Sequence, residues 1–147
     1  MLLPVTLVLA AACGLINLWL GLRLVRGRMQ GVAIGDGGRP EMLAGMRAHA
    51  NFAEYAPFVL ILTGLIELAR GPSLWLWVLT AVFVVARIVH PLGMMRPAPN
   101  ALRAAGALGT WIVTAILAGW ALAIAYQANT LPAPSNSTTI EMAQPRG

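Results

Sequence analysis

Four apolar stretches, each long enough to cross a bilayer and nearly free of charge, decide what this chain can fold into. A membrane-spanning helix needs about 20 mostly apolar residues at a rise of about 1.5 Å each. The first stretch, residues 2 to about 25, is interrupted only by Thr6, Asn17 and Arg23. The others run from Glu41 to about Arg70, from Leu74 to about Met95 and from Ala101 to about Gln127. Lipid offers no partners to backbone N–H and C=O groups, so spans of this length are helices. The expected fold class is an all-α membrane protein, a four-transmembrane-helix bundle over residues 1–128. A soluble domain carries about 25% charged residues, whereas this chain has 10%. That difference excludes an ordinary soluble fold.

The connections carry the punctuation that ends helices. Residues 26–40 hold three arginines and the run Gly35-Asp36-Gly37-Gly38, which makes turns and lacks the lysine and spacing of a phosphate-binding loop. Pro40 is placed for a helix start, Gly71-Pro72 for a stop and Ser73 for the cap of the third span. Trp75 and Trp77 fall where an interfacial aromatic belt belongs. Gly106, Gly109 and Gly119 in the fourth span permit close helix packing. The first span lacks a positive start and exceeds the apolar length of a signal peptide, so a retained helix is expected. Residues 129–147, rich in Pro, Ser and Thr, read as a disordered polar tail, with Asn136-Ser137-Thr138 matching a glycosylation acceptor.

All ten basic residues are arginine, against five acids, giving a net charge of +5. They sit at the ends of apolar segments and not on a basic face, which excludes nucleic acid as a partner. A lone Cys13 and two histidines leave no disulfide framework, iron–sulfur cluster or structural zinc site, and no metal is expected. Arg23, Arg26, Arg28, Arg39, Arg47, Arg96 and Arg103 surround the first and third loops, with only Arg70 and Arg146 on the other side. The positive-inside rule therefore puts loops one and three in the cytoplasm and both termini opposite.

The polar residues inside the spans are the informative ones, because each ionised group there costs several kcal/mol. Arg47, Asn51 and Glu54 are spaced i, i+4, i+7 and share one face of the second span, while His49 points away. On the third span, Arg87, His90 and Met94 share a face, and Pro91 removes a helical hydrogen bond and predicts a bend. The second and third spans run in opposite directions. Glu54 and Arg87 are read at similar depth, which predicts an ion pair between them. Arg23, Arg47, Arg103 and, on equal terms with a lipid-facing role, Arg26 remain without acids to neutralise them, so an anion is expected as their partner. Arg28 and Arg39 are assigned to lipid phosphates. Guanidinium, amide and carboxylate on one helix face suit a zwitterionic, peptide-like ligand.

The string Arg47-Ala48-His49-Ala50-Asn51-Phe52-Ala53-Glu54-Tyr55-Ala56-Pro57 resembles the signature of the MAPEG family, the membrane-associated proteins of eicosanoid and glutathione metabolism. The preceding Gly-Asp-Gly-Gly loop is similar to that of bacterial members, and the resemblance extends from Leu2 to about Gln127. It implies a homotrimer in the bacterial inner membrane, with glutathione as co-substrate held between subunits near the cytoplasmic face. It also implies that Arg47, Asn51 and Glu54 bind glutathione, that Arg87 and His90 contact or support it, and that Arg23, with Arg26, reaches its carboxylates. Arg103 resembles the catalytic arginine. A guanidinium beside a thiol favours the thiolate, the species that attacks an electrophile. The implied activity is a transferase or peroxidase acting on lipophilic electrophiles dissolved in the bilayer.

Three positions depart from the pattern. Ala50 stands where prostaglandin-forming members have a second arginine, Met94 where many eukaryotic members have tyrosine, and Ala104 where the prostaglandin-forming type has serine. Prostaglandin synthesis is not supported. Two alternatives stay open: a non-catalytic trimer of the same family binding glutathione, another small anion or a lipid headgroup, and a proton-coupled exporter built on a carboxylate in a span.

Overall fold

A computed structural model describes residues 2–32 and 34–130. It consists of four helices, α1 (Pro4–Arg28), α2 (Pro40–Arg70), α3 (Leu74–Met94) and α4 (Ala101–Thr130), all long and apolar enough to span a membrane. α1 and α2 open on proline, whose fixed φ and missing N–H suit the first turn. Ser73 caps α3, its hydroxyl accepting from Leu76 N at 3.3 Å. Asn100 does the same for α4, with Oδ1 accepting from Leu102 N at 2.9 Å. Asn129 and Thr130, assigned above to the tail, are the last residues of α4, because nothing in Ala-Tyr-Gln-Ala interrupts the helix. The rest of the expected tail, with its Asn136-Ser137-Thr138 acceptor, lies outside the described residues.

The helices run up and down, so that loops one and three share one end of the bundle. α1 packs on α2 and α3, α4 packs on α2 and α3, and α1 and α4 are not packed as neighbours among the described residues. The core is a column of buried side chains including Leu9, Leu20, Val59, Ile66, Phe83 and Leu117, with Cys13 a buried free thiol among them. Leu15, Phe58, Val85 and Ile112 are exposed in the single chain, as expected of helices whose outer faces meet lipid.

α3 and α4 are the most intimate pair, and two glycines set their distance. A Cβ on Gly106 would lie 2.7 Å from the backbone N and Cα of His90, and one on Gly93 would lie 2.7 Å from Cα of Arg103. Both contacts are with backbone, which cannot swing aside.

At the far end of the bundle Glu67 is fully buried on α2 and ties down the start of α1. Its carboxylate accepts from Val5 N at 2.9 Å, Thr6 N at 2.8 Å and the Thr6 hydroxyl at 2.6 Å. These are first-turn N–H groups with no partner inside their own helix, and a carboxylate also suits the positive end of the helix dipole. Glu67→Ala is expected to lower stability by about 2 kcal/mol, with Glu67→Gln retaining part of it. Thermal unfolding in detergent checks this, and an unchanged midpoint would remove the cap from the account of how α1 docks.

Candidate functional site

A cleft of about 800 Å³ opens at the end of the bundle that carries loops one and three. α2 supplies Arg47, Ala50, Asn51 and Glu54 to one wall, in keeping with their shared helix face. α4 supplies Arg103, Ala104, Ala107 and Trp111 to the opposite wall. The back is formed by His90 and Met94 of α3, and residues 98–100 of loop three close the rim. Five residues expected at the site from sequence, Arg47, Asn51, Glu54, His90 and Arg103, therefore meet around one space.

Arg87 stands behind that wall. It is 2% exposed, and its Nη1 donates to Asn51 Oδ1 at 2.9 Å while Nη2 donates to the Gly106 carbonyl at 3.2 Å. The rings of Tyr55 and Phe83 each lie 5.8 Å from the guanidinium carbon. The expected Glu54–Arg87 ion pair is not formed, and no ion pair occurs among the described residues. Depth explains the correction. At about 1.5 Å per residue Asn51 is about 16 Å and Glu54 about 21 Å from Pro40, while Arg87 is about 13 Å from Arg96, so Asn51 is the better match. The second acceptor is available because Gly106 has no side chain to hold the α4 backbone away. Glu54 is left exposed on the cleft wall.

This network orients the amide. With Oδ1 of Asn51 engaged by Arg87, the –NH₂ end is the one free to donate into the cleft. Nε of Arg87 is buried without a partner, and its charge meets no carboxylate. Buried positive charge adds to the exposed guanidinium groups of Arg47 and Arg103. The cleft therefore attracts anions, with Glu54 as its one carboxylate.

His90 is buried, and its Nδ1 is 3.2 Å from the Arg103 carbonyl. This contact fixes the first turn of α4, and so the base of the Arg103 side chain, against α3. His49 lies off the cleft, where Nε2 meets Asn17 Oδ1 of α1 at 2.8 Å.

Arg23 and Arg26 are not brought to the cleft within the chain. Both line a second cavity of about 300 Å³ between α1, α2 and loop one. Arg23 also hydrogen-bonds Met95 Sδ and lies over the Trp19 ring at 5.5 Å.

The sequence reading missed Asn100 and Trp111. Trp111 stands two turns beyond Arg103, with Ala107 between them, so 103, 107 and 111 form one i, i+4, i+8 row about 12 Å long. Its indole Nε1 donates to the Tyr55 hydroxyl at 3.0 Å and bridges α4 to α2 at the apolar end of the cleft. That row is the signal that would have revealed it. Asn100 was legible as an N-cap residue just before the fourth span.

The sequence profile of the MAPEG family matches residues 6–123. Two curated relatives, both named inner membrane protein YecN, from Escherichia coli strain K12 and from Escherichia coli O6:H1, are each 36% identical to the chain over 72 residues. The aligned region covers 48% of this chain and 54% of each relative, so the chain spans about half the length of the curated relatives it matches. With four helices fit to span a membrane and a family match over most of its length, the chain is an integral, multi-pass membrane protein and belongs to the MAPEG family.

Proposed function

We propose that this protein is a glutathione-dependent transferase or peroxidase of the bacterial inner membrane, with loops one and three on the cytoplasmic side. The observation that carries the reading is the charge arrangement of the cleft: Arg47 and Arg103 on facing walls, Arg87 uncompensated behind Asn51, and a single carboxylate, Glu54. Glutathione has two carboxylates, one ammonium group and an amide backbone, and these groups complement that set. Arg47 and the Asn51 –NH₂ donate to carboxylates or peptide carbonyls, and Glu54 accepts from the ammonium. A volume of about 800 Å³ falls within the usual range for small-molecule sites.

Arg103 holds the thiol of glutathione as thiolate by opposite charge, and the thiol proton leaves to water. In conjugation the sulfur attacks an electrophilic carbon, a C–S bond forms, and the leaving group departs with the electron pair of the bond that breaks. With a hydroperoxide the sulfur attacks the terminal oxygen, the O–O bond breaks, and the alcohol leaves. A second glutathione then converts the sulfenic acid to the disulfide with loss of water. Ala104, Ala107 and Trp111 give the cleft an apolar end for a lipophilic substrate.

The same reading takes the assembly as a homotrimer in which a neighbouring copy covers the open side of the cleft and Arg23 acts across the subunit boundary. Arg26, which lines the same cavity as Arg23, is placed with it in that role.

Binding and turnover are tested separately. Arg47→Ala and Asn51→Ala are each expected to weaken glutathione binding about tenfold, the loss of one charge-assisted or well-placed hydrogen bond, in titrations of detergent-purified protein. Wild-type affinity in both variants would remove glutathione from the cleft. Saturable binding without turnover of any electrophile would instead favour the non-catalytic reading, which Ala50, Met94 and Ala104 would explain. Proton-driven efflux abolished by Glu54→Gln would favour an exporter.

Trp111→Ala is expected to raise KM for aromatic acceptors severalfold, through loss of a stacking surface of about 1 kcal/mol, with little change for small aliphatic ones. A uniform change across acceptors would assign Trp111 to packing alone.

A further inference from the structure

The thiol chemistry assigned to the cleft needs a group that can take a proton. Glu54 and His90 are the two side chains of its lining, among the described residues, able to do so. A thiol of ordinary pKa about 8.5 ionises against a carboxylate of about 4.3 with a penalty of about 10⁴, and against an imidazole of about 6.5 with one of about 10². Imidazole is the better acceptor, provided that its bare nitrogen faces the cleft.

The fold settles which nitrogen that is. His90 Nδ1 is 3.2 Å from the carbonyl oxygen of Arg103. A carbonyl only accepts, so Nδ1 carries the hydrogen, and the lone pair of the neutral ring is on Nε2. Nε2 has no hydrogen-bond partner among the described residues, yet it is not sealed off without one, as Thr63 Oγ1 and Arg87 Nε are. The residue is 7% exposed and lines the cleft, so an unpaired acceptor is reached from that side. Its place is held firmly. A Cβ on Gly106 would lie 2.6 Å from His90 Cβ, and one on Gly93 2.7 Å from Arg103 Cα, so the two helices cross backbone to backbone where the ring meets Arg103. Arg87 and Arg103 are the charged groups that act on the ring from α3 and α4. Arg47 and Glu54 stand across the cleft on α2, residues 98–100 of loop three carry no charge, and from α1 Arg23 reaches the end of α3 at Met95.

We propose, on the glutathione reading of this cleft, that His90 is its general base and acid. Nε2 takes the thiol proton: the S–H bond breaks, an Nε2–H bond forms, and the electron pair stays on sulfur. The products are a thiolate beside Arg103 and an imidazolium next to it, so the cleft gains no net charge. In conjugation with loss of a halide the imidazolium passes its proton to water, which is the route by which the thiol proton leaves. With a hydroperoxide, the alkoxide released from the broken O–O bond takes the Nε2 proton and departs as the alcohol, which restores the neutral ring.

The test uses the full chain in detergent. His90→Asn keeps an N–H for the Arg103 carbonyl and removes the ring acceptor, while His90→Ala leaves room for free imidazole. With unfolding and glutathione affinity like wild type, His90→Asn is expected to conjugate a chlorinated nitroaromatic about 10²-fold more slowly at neutral pH, the low end for a positioned base. The gap is expected to narrow as pH rises, because hydroxide then removes the proton unaided, and to be wider with a hydroperoxide, which uses the ring twice. Millimolar imidazole is expected to restore part of the rate of His90→Ala. In wild type, with no variant to fold, diethyl pyrocarbonate is expected to modify His90 and glutathione to protect it. A rate and pH profile equal to wild type in His90→Asn, or a ring that glutathione leaves unprotected, overturns the proposal. A loss of equal size at every pH, with no response to imidazole, also overturns it and leaves His90 as a packing group for Arg103. A wild type without glutathione turnover ends it together with the enzymatic reading, and that outcome is visible before any variant is made.

Discussion

Arg103→Ala is expected to lower the rate of glutathione conjugation to a chlorinated nitroaromatic acceptor by about 10²- to 10³-fold, the usual loss when one preorganised stabiliser of reacting negative charge is removed. The side chain is exposed on the first turn of α4, and the fold uses the backbone of this residue, through its carbonyl against His90 and its close approach to Gly93. The variant should therefore assemble and unfold like wild type, which separates a chemical role from a structural one. Its glutathione affinity should fall far less than its rate, because Arg47, Asn51 and Glu54 remain. Arg103→Lys keeps a positive charge but loses the planar fork, and an intermediate rate is expected. A rate equal to wild type in Arg103→Ala would end the thiolate argument. A loss confined to affinity would move Arg103 into the binding set.

Gly106→Val is expected to be the most damaging substitution in the bundle. Even a single Cβ at this position falls 2.6 Å from the His90 Cβ and 2.7 Å from its backbone N and Cα, so α3 and α4 must separate. Overpacking of this kind costs about 1–3 kcal/mol, and a β-branched side chain belongs at the upper end or beyond. Separation also withdraws the Gly106 carbonyl from Arg87, whose Nη2 donates to it at 3.2 Å, and leaves a buried cation with one acceptor fewer. The thermal midpoint in detergent should fall sharply, and Gly106→Ala should lie between the two. Gly119→Ala is the control, since a Cβ there meets nothing within 4 Å. Equal midpoints for the Gly106 and Gly119 variants would show that the close crossing is not required for stability.

Arg103 and Gly106 differ in how far a sequence reveals them. Arg103 is legible from its residue type, its place at the start of the fourth span and the resemblance of the chain. Gly106 was legible only as one of several small residues in that span, because a glycine in a sequence says that close approach is possible without naming what approaches. Glu54 and Arg87 make the same point from the other direction. Both are correctly read as polar groups inside spans, yet Arg87 meets Asn51 and the Gly106 carbonyl. An opposite charge is the obvious partner in one dimension, while a neutral amide three residues away wins in three. Trp111 is not legible as a cleft residue from sequence, because an aromatic residue in an apolar span looks the same whether it faces lipid, core or cleft.

By itself the sequence determined the four spans, their ends and the charge asymmetry between the two sides, since these follow from hydrophobic length, helix-ending residues and the cost of placing charge in lipid. It also determined that Arg47, Asn51 and Glu54 share a face, because the helical repeat fixes that without reference to any neighbour. Which faces meet is fixed by packing in three dimensions. The close crossing at Gly93 and Gly106 sets the α3–α4 distance, and with it whether the Gly106 carbonyl reaches Arg87 and how Arg103 stands across from Arg47. Packing likewise divided the surplus arginines between two cavities, because the fold of loop one carries Arg39 toward Arg26 and away from the cleft.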